Sequence, residues 1–338
     1  MNHHELPFSP SSVATASDRL LERGELVDLC EKAVRGAGGS SETARALADA
    51  VVSAELRGKP SVGVSHLLDF VHAIPAGRLN GDPRPSVDRR RSAVVVADAD
   101  RGAAHVAFAR ALPAAVEGAR AAGVAVLSIR NCFPAGELSY YATAAARAGF
   151  VALAATSSPA LLAAYGSRAP ITGTNPLAFA LPHPDGPRAF DQAASATAWV
   201  SVREAAERGD AIPDGWALGP DGEPTEDASA ALAGALLPSG GVKGANIAVM
   251  VEMLAALSGG AFSVDAAPFD RGSTSPAVGL FLLLLDPTAF DPGFVDRAEA
   301  HHRRLATEHG ADFGRRRTEH TAVRLPAAVL DELEEWAR

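Results

Sequence analysis

The chain predicts an α/β fold in which the core is flanked by helices from both termini. Three observations carry that prediction. Short apolar runs of strand length alternate with helix-length amphipathic segments between about residues 93 and 181. Helical spacing of apolar residues opens and closes the chain. No Gly-x-Gly-x-x-Gly turn follows a strand and no Walker phosphate loop occurs, so the usual phosphate-binding fingerprints are missing. At 338 residues, with 47% apolar and 21% charged, the chain is long enough for one large domain or two ordinary ones.

Residues 1–18, rich in Ser, Pro and His without periodicity, read as a flexible arm. From Glu25 the spacing of Leu26, Leu29, Cys30 and Ala33 fits an amphipathic helix. Gly38-Gly39-Ser40-Ser41 ends it, and Ser41 opens a second helix running to about Arg57. A third spans Val64 to Ala73, between Gly63 and Pro75, and residues 77–91 with Pro83 and Pro85 read as an extended connection. Strands follow at 93–97 and 124–129, around a helix from Ala103 to Ala122 with a kink expected at Pro113. A helix from Leu138 to Ala148 precedes strands at 150–154 and 177–181. Residues 209–227 read as a loop and 228–236 as a short helix. The helix from Ile247 to Leu257 is apolar and is expected to be buried. Val278–Leu285 has the length of a buried strand and is too short for a membrane span. Helices at about 293–309 and 326–337 close the chain, and no internal repeat is found. The expected division is an arm (1–18), an N-terminal helical region (19–85), an α/β domain (86–270), and a C-terminal strand with helices (271–338) packing on the N-terminal helices.

The net charge of −9 argues against a nucleic-acid partner, because phosphate neutralisation needs a basic face. The basic cluster Arg315-Arg316-Arg317, followed by Glu319, reads as a solvated helix face. Two cysteines are too few for a disulfide framework and fit a reducing cytoplasm. The start has no basic n-region or apolar h-region, so no signal peptide is expected. A soluble cytoplasmic protein is expected, with no membrane partner and no metal.

Several multi-residue motifs go further. They are Leu56-Arg57-Gly58-Lys59-Pro60-Ser61-Val62-Gly63, Gly173-Thr174-Asn175-Pro176-Leu177-Ala178-Phe179-Ala180 and Asp191-Gln192-Ala193-Ala194-Ser195. Gly215-Trp216-Ala217-Leu218, Pro224-Thr225 and Leu236-Leu237-Pro238-Ser239-Gly240-Gly241-Val242-Lys243-Gly244 continue the series. In this order, from about Gly24 to Trp336, the chain resembles the malate/L-lactate (sulfolactate) dehydrogenase type, which includes ureidoglycolate dehydrogenase, diketogulonate reductase and piperideine-carboxylate reductase. The resemblance implies a mixed-sheet domain of the L-sulfolactate dehydrogenase-like type that binds NAD or NADP in a non-Rossmann manner. It also implies a small-molecule substrate and a homodimer with the active site near the subunit interface. On the cofactor side it places Ser158, Thr174, Asn175, Asp191, Gln192, Ala193, Lys243 and Gly244. A lysine amine suits a point contact to a diphosphate or ribose, although a solvated loop lysine is the plain alternative; turn chemistry is the alternative for Thr174-Asn175-Pro176. Two cofactor features depart from the family: Ala245-Asn246 follow the Lys-Gly pair, and Asp312-Phe313-Gly314 stand where a Pro-Gly-Glu turn is usual.

The substrate side departs further. Val62 stands where the family carries its proton-transferring imidazole, and Pro134 where a second catalytic histidine is usual. His66 replaces an arginine expected to hold a substrate carboxylate, and Phe70 replaces a tyrosine; Ser61 is retained. An imidazole, with an ordinary pKa of about 6.5, is only partly charged at neutral pH, so a fixed cation is lost. Ketone reduction builds an alkoxide, and a positioned acid contributes about 10²–10⁴-fold to such a step. An iminium nitrogen already carries its proton, which makes a C=N substrate the smallest change that explains Val62 and Pro134. The expected site therefore has His66 and Ser61 as polar catalytic contacts and Val62, Phe70 and Pro134 as an apolar wall. Tyr140 and Tyr141 read as packing residues, and Cys132 as a thiol without a basic partner. A non-redox enzyme on the same scaffold, or a catalytically silent accessory protein, are the alternative readings.

Overall fold

A computed structural model describes residues 19–314 and 320–338; the expected arm at 1–18 and the cluster Arg315-Arg316-Arg317 lie outside the described residues. The described residues open with β1 (Arg19–Glu22), α1 (Arg23–Gly36) and α2 (Ser41–Leu56). A 3₁₀ turn (Pro60–Val62) then leads into α3 (Val64–Ala73). Ser40 starts α2 by accepting the Thr43 N–H at 3.3 Å, as the Ser-Ser punctuation predicts. Leu26, Cys30 and Ala33 of α1 meet Leu47, Val51, Leu67 and Phe70 in one apolar core, so the predicted helix faces are the buried ones.

The sheet segment runs β2 (Ser86–Arg91), β3 (Val94–Asp98), α4 (Ala104–Ala122), β4 (Val124–Cys132), α5 (Leu138–Arg147), β5 (Val151–Thr156), β6 (Leu177–Leu181) and β7 (Arg188–Gln192). α4 continues through Pro113. The carbonyl that this proline leaves unpaired belongs to Ala109, which is exposed, so water can satisfy it. A small unit follows: α6 (Trp199–Arg208), β8 (Ala217–Leu218), β9 (Pro224–Thr225), α7 (Ala228–Ala233) and β10 (Ala235–Leu236). The chain ends with α8 (Val242–Leu257), β11 (Val278–Leu285), α9 (Pro287–Phe290), α10 (Phe294–His309), β12 (Ala322–Leu325) and α11 (Ala327–Trp336).

Among the described residues the main sheet has seven strands, in the order β2-β3-β4-β11-β5-β6-β7. Only β3 and β4 pair in parallel, through the crossover helix α4; the other five pairings are antiparallel. This mixed sheet is the predicted class and is not the all-parallel Rossmann order. α4 and α5 share one core with β3, β4, β5 and β11, while Val251 of α8 packs with Ala155 and Phe281 in a second. β1 pairs antiparallel with β12, and Leu330 and Leu333 of α11 enter the core of α1–α3, so the two ends of the chain pack together as expected.

Four expectations need correction. The boundary at 270/271 cuts the main sheet, because β11 is its central strand and pairs with β4 on one side and β5 on the other. The connection at 77–91 ends in an edge strand, β2, all six residues of which are exposed. The loop at 209–227 contains the β8–β9 pair. α8 starts at Val242 and is buried on one face only: Met253 is 50% and Leu257 75% exposed.

Candidate active site

The turn and helix carrying Ser61, Val62 and His66 are seated by a buried carboxylate. Glu55 accepts the Val64 N–H at 2.8 Å, and a Cβ on Gly63 would lie 2.1 Å from the same carboxylate oxygen. Only glycine lets the chain pass so close to Glu55. Burial lifts the Glu55 carboxyl above its ordinary range, against the pull of the Val64 N–H. Ser61 and Val62 are left half-buried on the turn, and His66 lies on the first turn of α3.

His66 Nδ1 is 2.7 Å from Asp69 Oδ2. Burial alone would raise the Asp69 carboxyl, but the hydrogen bond and charge of His66 outweigh it and hold the carboxyl low. The far side of the His66 ring faces the loop after β4. A Cβ built on Gly136 would sit 3.6 Å from His105 Cε1 and 3.8 Å from His66 Cδ2, so the loop that contains half-buried Pro134 rests on two imidazoles. Phe70 does not form an open wall. It is fully buried and packs edge-on against His66, His105 and Phe133, with centroids 5.0, 6.2 and 5.6 Å away. The tyrosine-to-phenylalanine replacement thus falls in the core behind the site, where a hydroxyl would need a partner. His105 is buried, its Nδ1 has no hydrogen-bond partner, and burial followed by the nearby His66 pushes its pKa down to about 3.

Beside the turn lies a cluster that sequence reasoning did not assemble. Lys59 Nζ donates to Glu137 Oε1 at 2.6 Å and to Ser139 Oγ at 3.3 Å, and Arg57 Nη2 donates to Glu137 Oε2. The Ser139 hydroxyl donates to Glu137 at 2.5 Å, while its backbone N–H donates to Asp191 Oδ2 at 2.8 Å. Burial would raise Glu137, but the charges of Lys59 and Arg57 hold it below the ordinary carboxylate range. Burial lifts Asp191 above that range, against the Ser139 N–H and the Lys59 charge. Glu137 and Lys59 are 78 residues apart, which is why no local motif joins them. The available signal was composition: lysine occurs only three times among 31 basic residues, at Lys32, Lys59 and Lys243.

The expected cofactor residues fall into two groups. Asp191, Gln192 and Ala193 lie at the end of β7 and just beyond it, with Gln192 exposed. Lys243 is exposed on the first turn of α8. Gly244 is buried there, where a Cβ would lie 2.3 Å from the Ser239 carbonyl oxygen and 2.9 Å from that of Ala194. Ala194 lies three positions after Asp191, at most about 11 Å of extended chain, so one extended ligand can reach both the ion cluster and the head of α8. Gly240 and Gly241, both at positive φ with open space around them, precede this sixteen-residue helix. A cavity of about 560 Å³ opens beside them, lined in part by Tyr165, Arg168, Leu237, Gly241 and Val242. Free backbone N–H groups at a helix start together with an exposed lysine suit a phosphate-bearing ligand, so these residues fit a dinucleotide.

The other group is structural. The Asn175 amide donates to Thr172 Oγ1 at 2.8 Å, the Ala248 carbonyl at 2.9 Å and Glu252 Oε2 at 2.7 Å, and its oxygen accepts the Ser158 N–H at 3.3 Å. This fully buried amide ties the loop to α8, and its donors are taken up by those bonds. Ser158 Oγ accepts the Thr174 N–H at 3.2 Å and donates to the Pro159 carbonyl at the same distance, so this serine braces the Thr174 turn. Cys132 is buried with its thiol pushed up by burial, and Tyr141 donates to the Ala135 carbonyl at 2.8 Å in the same core. Among the described residues, no group of three His, Cys, Asp or Glu side chains is placed to hold a metal ion, and no helix is long and apolar enough to cross a membrane.

Comparison with known proteins agrees with this geometry. A family profile described as malate/L-lactate dehydrogenase matches residues 21–327. The Δ¹-pyrroline-2-carboxylate/Δ¹-piperideine-2-carboxylate reductase of Pseudomonas aeruginosa is 36% identical over 91% of this chain and 96% of its own length. The (2R)-3-sulfolactate dehydrogenase (NADP⁺) of Chromohalobacter salexigens is 33% identical over 94% of this chain and 98% of its own. The solved structure of Δ¹-piperideine-2-carboxylate reductase from Pseudomonas syringae pvar. tomato superposes with a TM-score of 0.87 at 33% identity, covering 94% of this chain and 99% of that one. A family match over most of the chain, with relatives and solved folds that agree end to end, identifies the protein as a member of the malate/L-lactate dehydrogenase family.

Proposed function

We propose that the protein is an NAD(P)H-dependent reductase that acts on the C=N bond of a small cyclic imine carboxylate. The carrying observation is the replacement of the imidazole at position 62 by an isopropyl group, in a site whose two other imidazoles are committed elsewhere. His66 is held by Asp69, and His105 is buried and neutral. Relatives named for pyrroline- and piperideine-carboxylate reduction support the substrate class, and the NADP⁺-linked relative supports the cofactor. When bound, a reduced nicotinamide supplies the hydride. The chain's own residues do the rest: Val62 and Pro134 keep water from a hydrolysable bond, Ser61 and His66 offer polar contacts to the substrate, and the Asp191 segment and Lys243 border the dinucleotide.

The test is steady-state turnover of 1-pyrroline-2-carboxylate and 1-piperideine-2-carboxylate with NADH and NADPH, set against oxidation of malate, lactate and ureidoglycolate. Imine reduction is expected to exceed each oxidation by about 10²-fold or more in kcat/KM, the order of what an imidazole at position 62 would contribute by taking the proton of an alcohol. Val62→His alone should restore little oxidation, because Pro134 and His66 still depart from the site that an alcohol substrate needs. Malate or lactate turnover matching the imine rate overturns the reading, as does calorimetry that detects no binding of either dinucleotide.

The same reading includes a cytoplasmic homodimer. Two free, buried cysteines suit a reducing compartment. Met250 and Met253 of α8, with nearby Leu257, Phe262 and Val264, leave a set of exposed apolar side chains of the kind that a second subunit covers. Met253→Arg is expected to turn a dimer into a monomer in light scattering; a variant that keeps the wild-type mass places the interface elsewhere.

A further inference from the structure

We infer that Lys59 is the proton donor of the reduction proposed above, standing in for the imidazole that position 62 lacks; the assignment rests on that reductive reading. Lys59 begins the same tight turn as Val62, whose N–H donates to the Lys59 carbonyl at 3.2 Å. Its ammonium is fixed at 2.6 Å from Glu137 and 3.3 Å from Ser139, whose backbone in turn holds Asp191 on the expected cofactor side. Within the cluster Lys59 is the outward member. Its side chain is 25% exposed, against 14% for Arg57 and 3% for Glu137.

The choice of residue points the same way. This chain places arginine at all but three of its 31 basic positions, yet lysine stands here. Arginine does not release a proton at accessible pH and lysine does, so the exception falls where a transferable proton is needed. The other titratable groups around the turn are unsuited. Arg57 cannot deprotonate, Glu55 is occupied beneath the turn by the Val64 N–H, His66 and Asp69 are occupied by each other, and Asp191 accepts the Ser139 N–H. Glu137 is ringed by donors, and His105 carries no proton to give as an acid at neutral pH.

In the step, a Lys59 Nζ–H bond breaks and an N–H bond forms on the imine nitrogen. The imine carbon takes the hydride supplied by the reduced nicotinamide, so the C=N bond is reduced to an amine and the nicotinamide is oxidised. Lys59, left neutral, regains a proton from water on its exposed side. Glu137 and Ser139 hold the nitrogen in place throughout.

The test compares the full-length wild type with Lys59→Met and Lys59→Arg. The first measurement is calorimetric titration of the proteins, without cofactor, with pyrrole-2-carboxylate. This planar analogue has no basic nitrogen and so reports the grip on the carboxylate rather than proton donation. All three proteins should bind it within about twofold, which also shows that the pocket is intact. The second is the pH profile of kcat for 1-pyrroline-2-carboxylate. At about pH 9, where the substrate is the free imine, both variants should fall by about 10²-fold; at about pH 6, where the substrate brings its own proton, they should fall far less. An equal loss at both pH values, rescue by Lys59→Arg, or a tenfold loss of analogue binding overturns the assignment, the last by making Lys59 a carboxylate anchor. A wild type that reduces the imine while Lys59→Met matches it sinks the Lys59 role alone. A wild type that reduces no cyclic imine takes the reductive reading down with it.

Discussion

Glu137→Gln is expected to destabilise the protein by about 3 kcal/mol, because it leaves two cations facing a neutral amide in a largely buried place. Glu137 is 3% exposed and binds Lys59 and Arg57 at once; the partial exposure of both partners puts the cost at the low end for a broken buried pair. Chemical denaturation at pH 7 measures the difference. Its pH dependence has a definite sign. The folded-state pKa of Glu137 is depressed, so its contribution is complete above the unfolded carboxylate value of about 4.3 and is lost as pH falls through the lower folded value. The gap between wild type and Glu137→Gln should stay constant from pH 7 to about pH 5 and close below about pH 4. A gap that persists in acid assigns the cost to packing instead of charge.

Leu282→Ala is expected to cost about 3 kcal/mol, the usual range for a leucine cavity in a rigid core. Leu282 is fully buried in β11, opposite Leu127 of β4 and Ala154 of β5, so the cavity opens where both halves of the sheet meet. Urea unfolding followed by near- and far-ultraviolet circular dichroism should give one transition, shifted as a whole. Two transitions, with only one displaced, would restore a separate unit at 271–338.

What the sequence makes legible follows from how much apolar surface each element hides. β11 reads as a strand because Val278–Leu285 is apolar on both faces, as a central strand must be. β2 is invisible for the opposite reason. Ser86-Val87-Asp88-Arg89-Arg90-Arg91 sits on the sheet edge with every side chain in solvent, so it carries no alternation. α8 is misjudged because helical apolarity reports a need for cover without saying which surface supplies it. The site divides in the same way. Ser61, Val62, His66 and Asp191 sit in motifs that resemblance can align, and the structure gathers them around the turn and the end of β7. Asn175 aligns equally well but has its amide consumed by Thr172, Ala248 and Glu252. Lys59 lies inside its motif without a role assigned to it there, Glu137 and His105 belong to no motif, and only the close packing of the 3₁₀ turn, α4 and the loop after β4 brings them together.

The central position of β11 also sets the order in which the protein can be made. β4 and β5 emerge from the ribosome with a slot between them that no earlier segment fills. About 120 further residues must be synthesised before β11 arrives, roughly 6–24 s at ordinary elongation rates. Throughout that interval the nascent chain carries two open strand edges lined with alanine, leucine and valine. Chains released before about residue 285 therefore do not become smaller functional units; they become clients for chaperones or seeds of edge-to-edge aggregation.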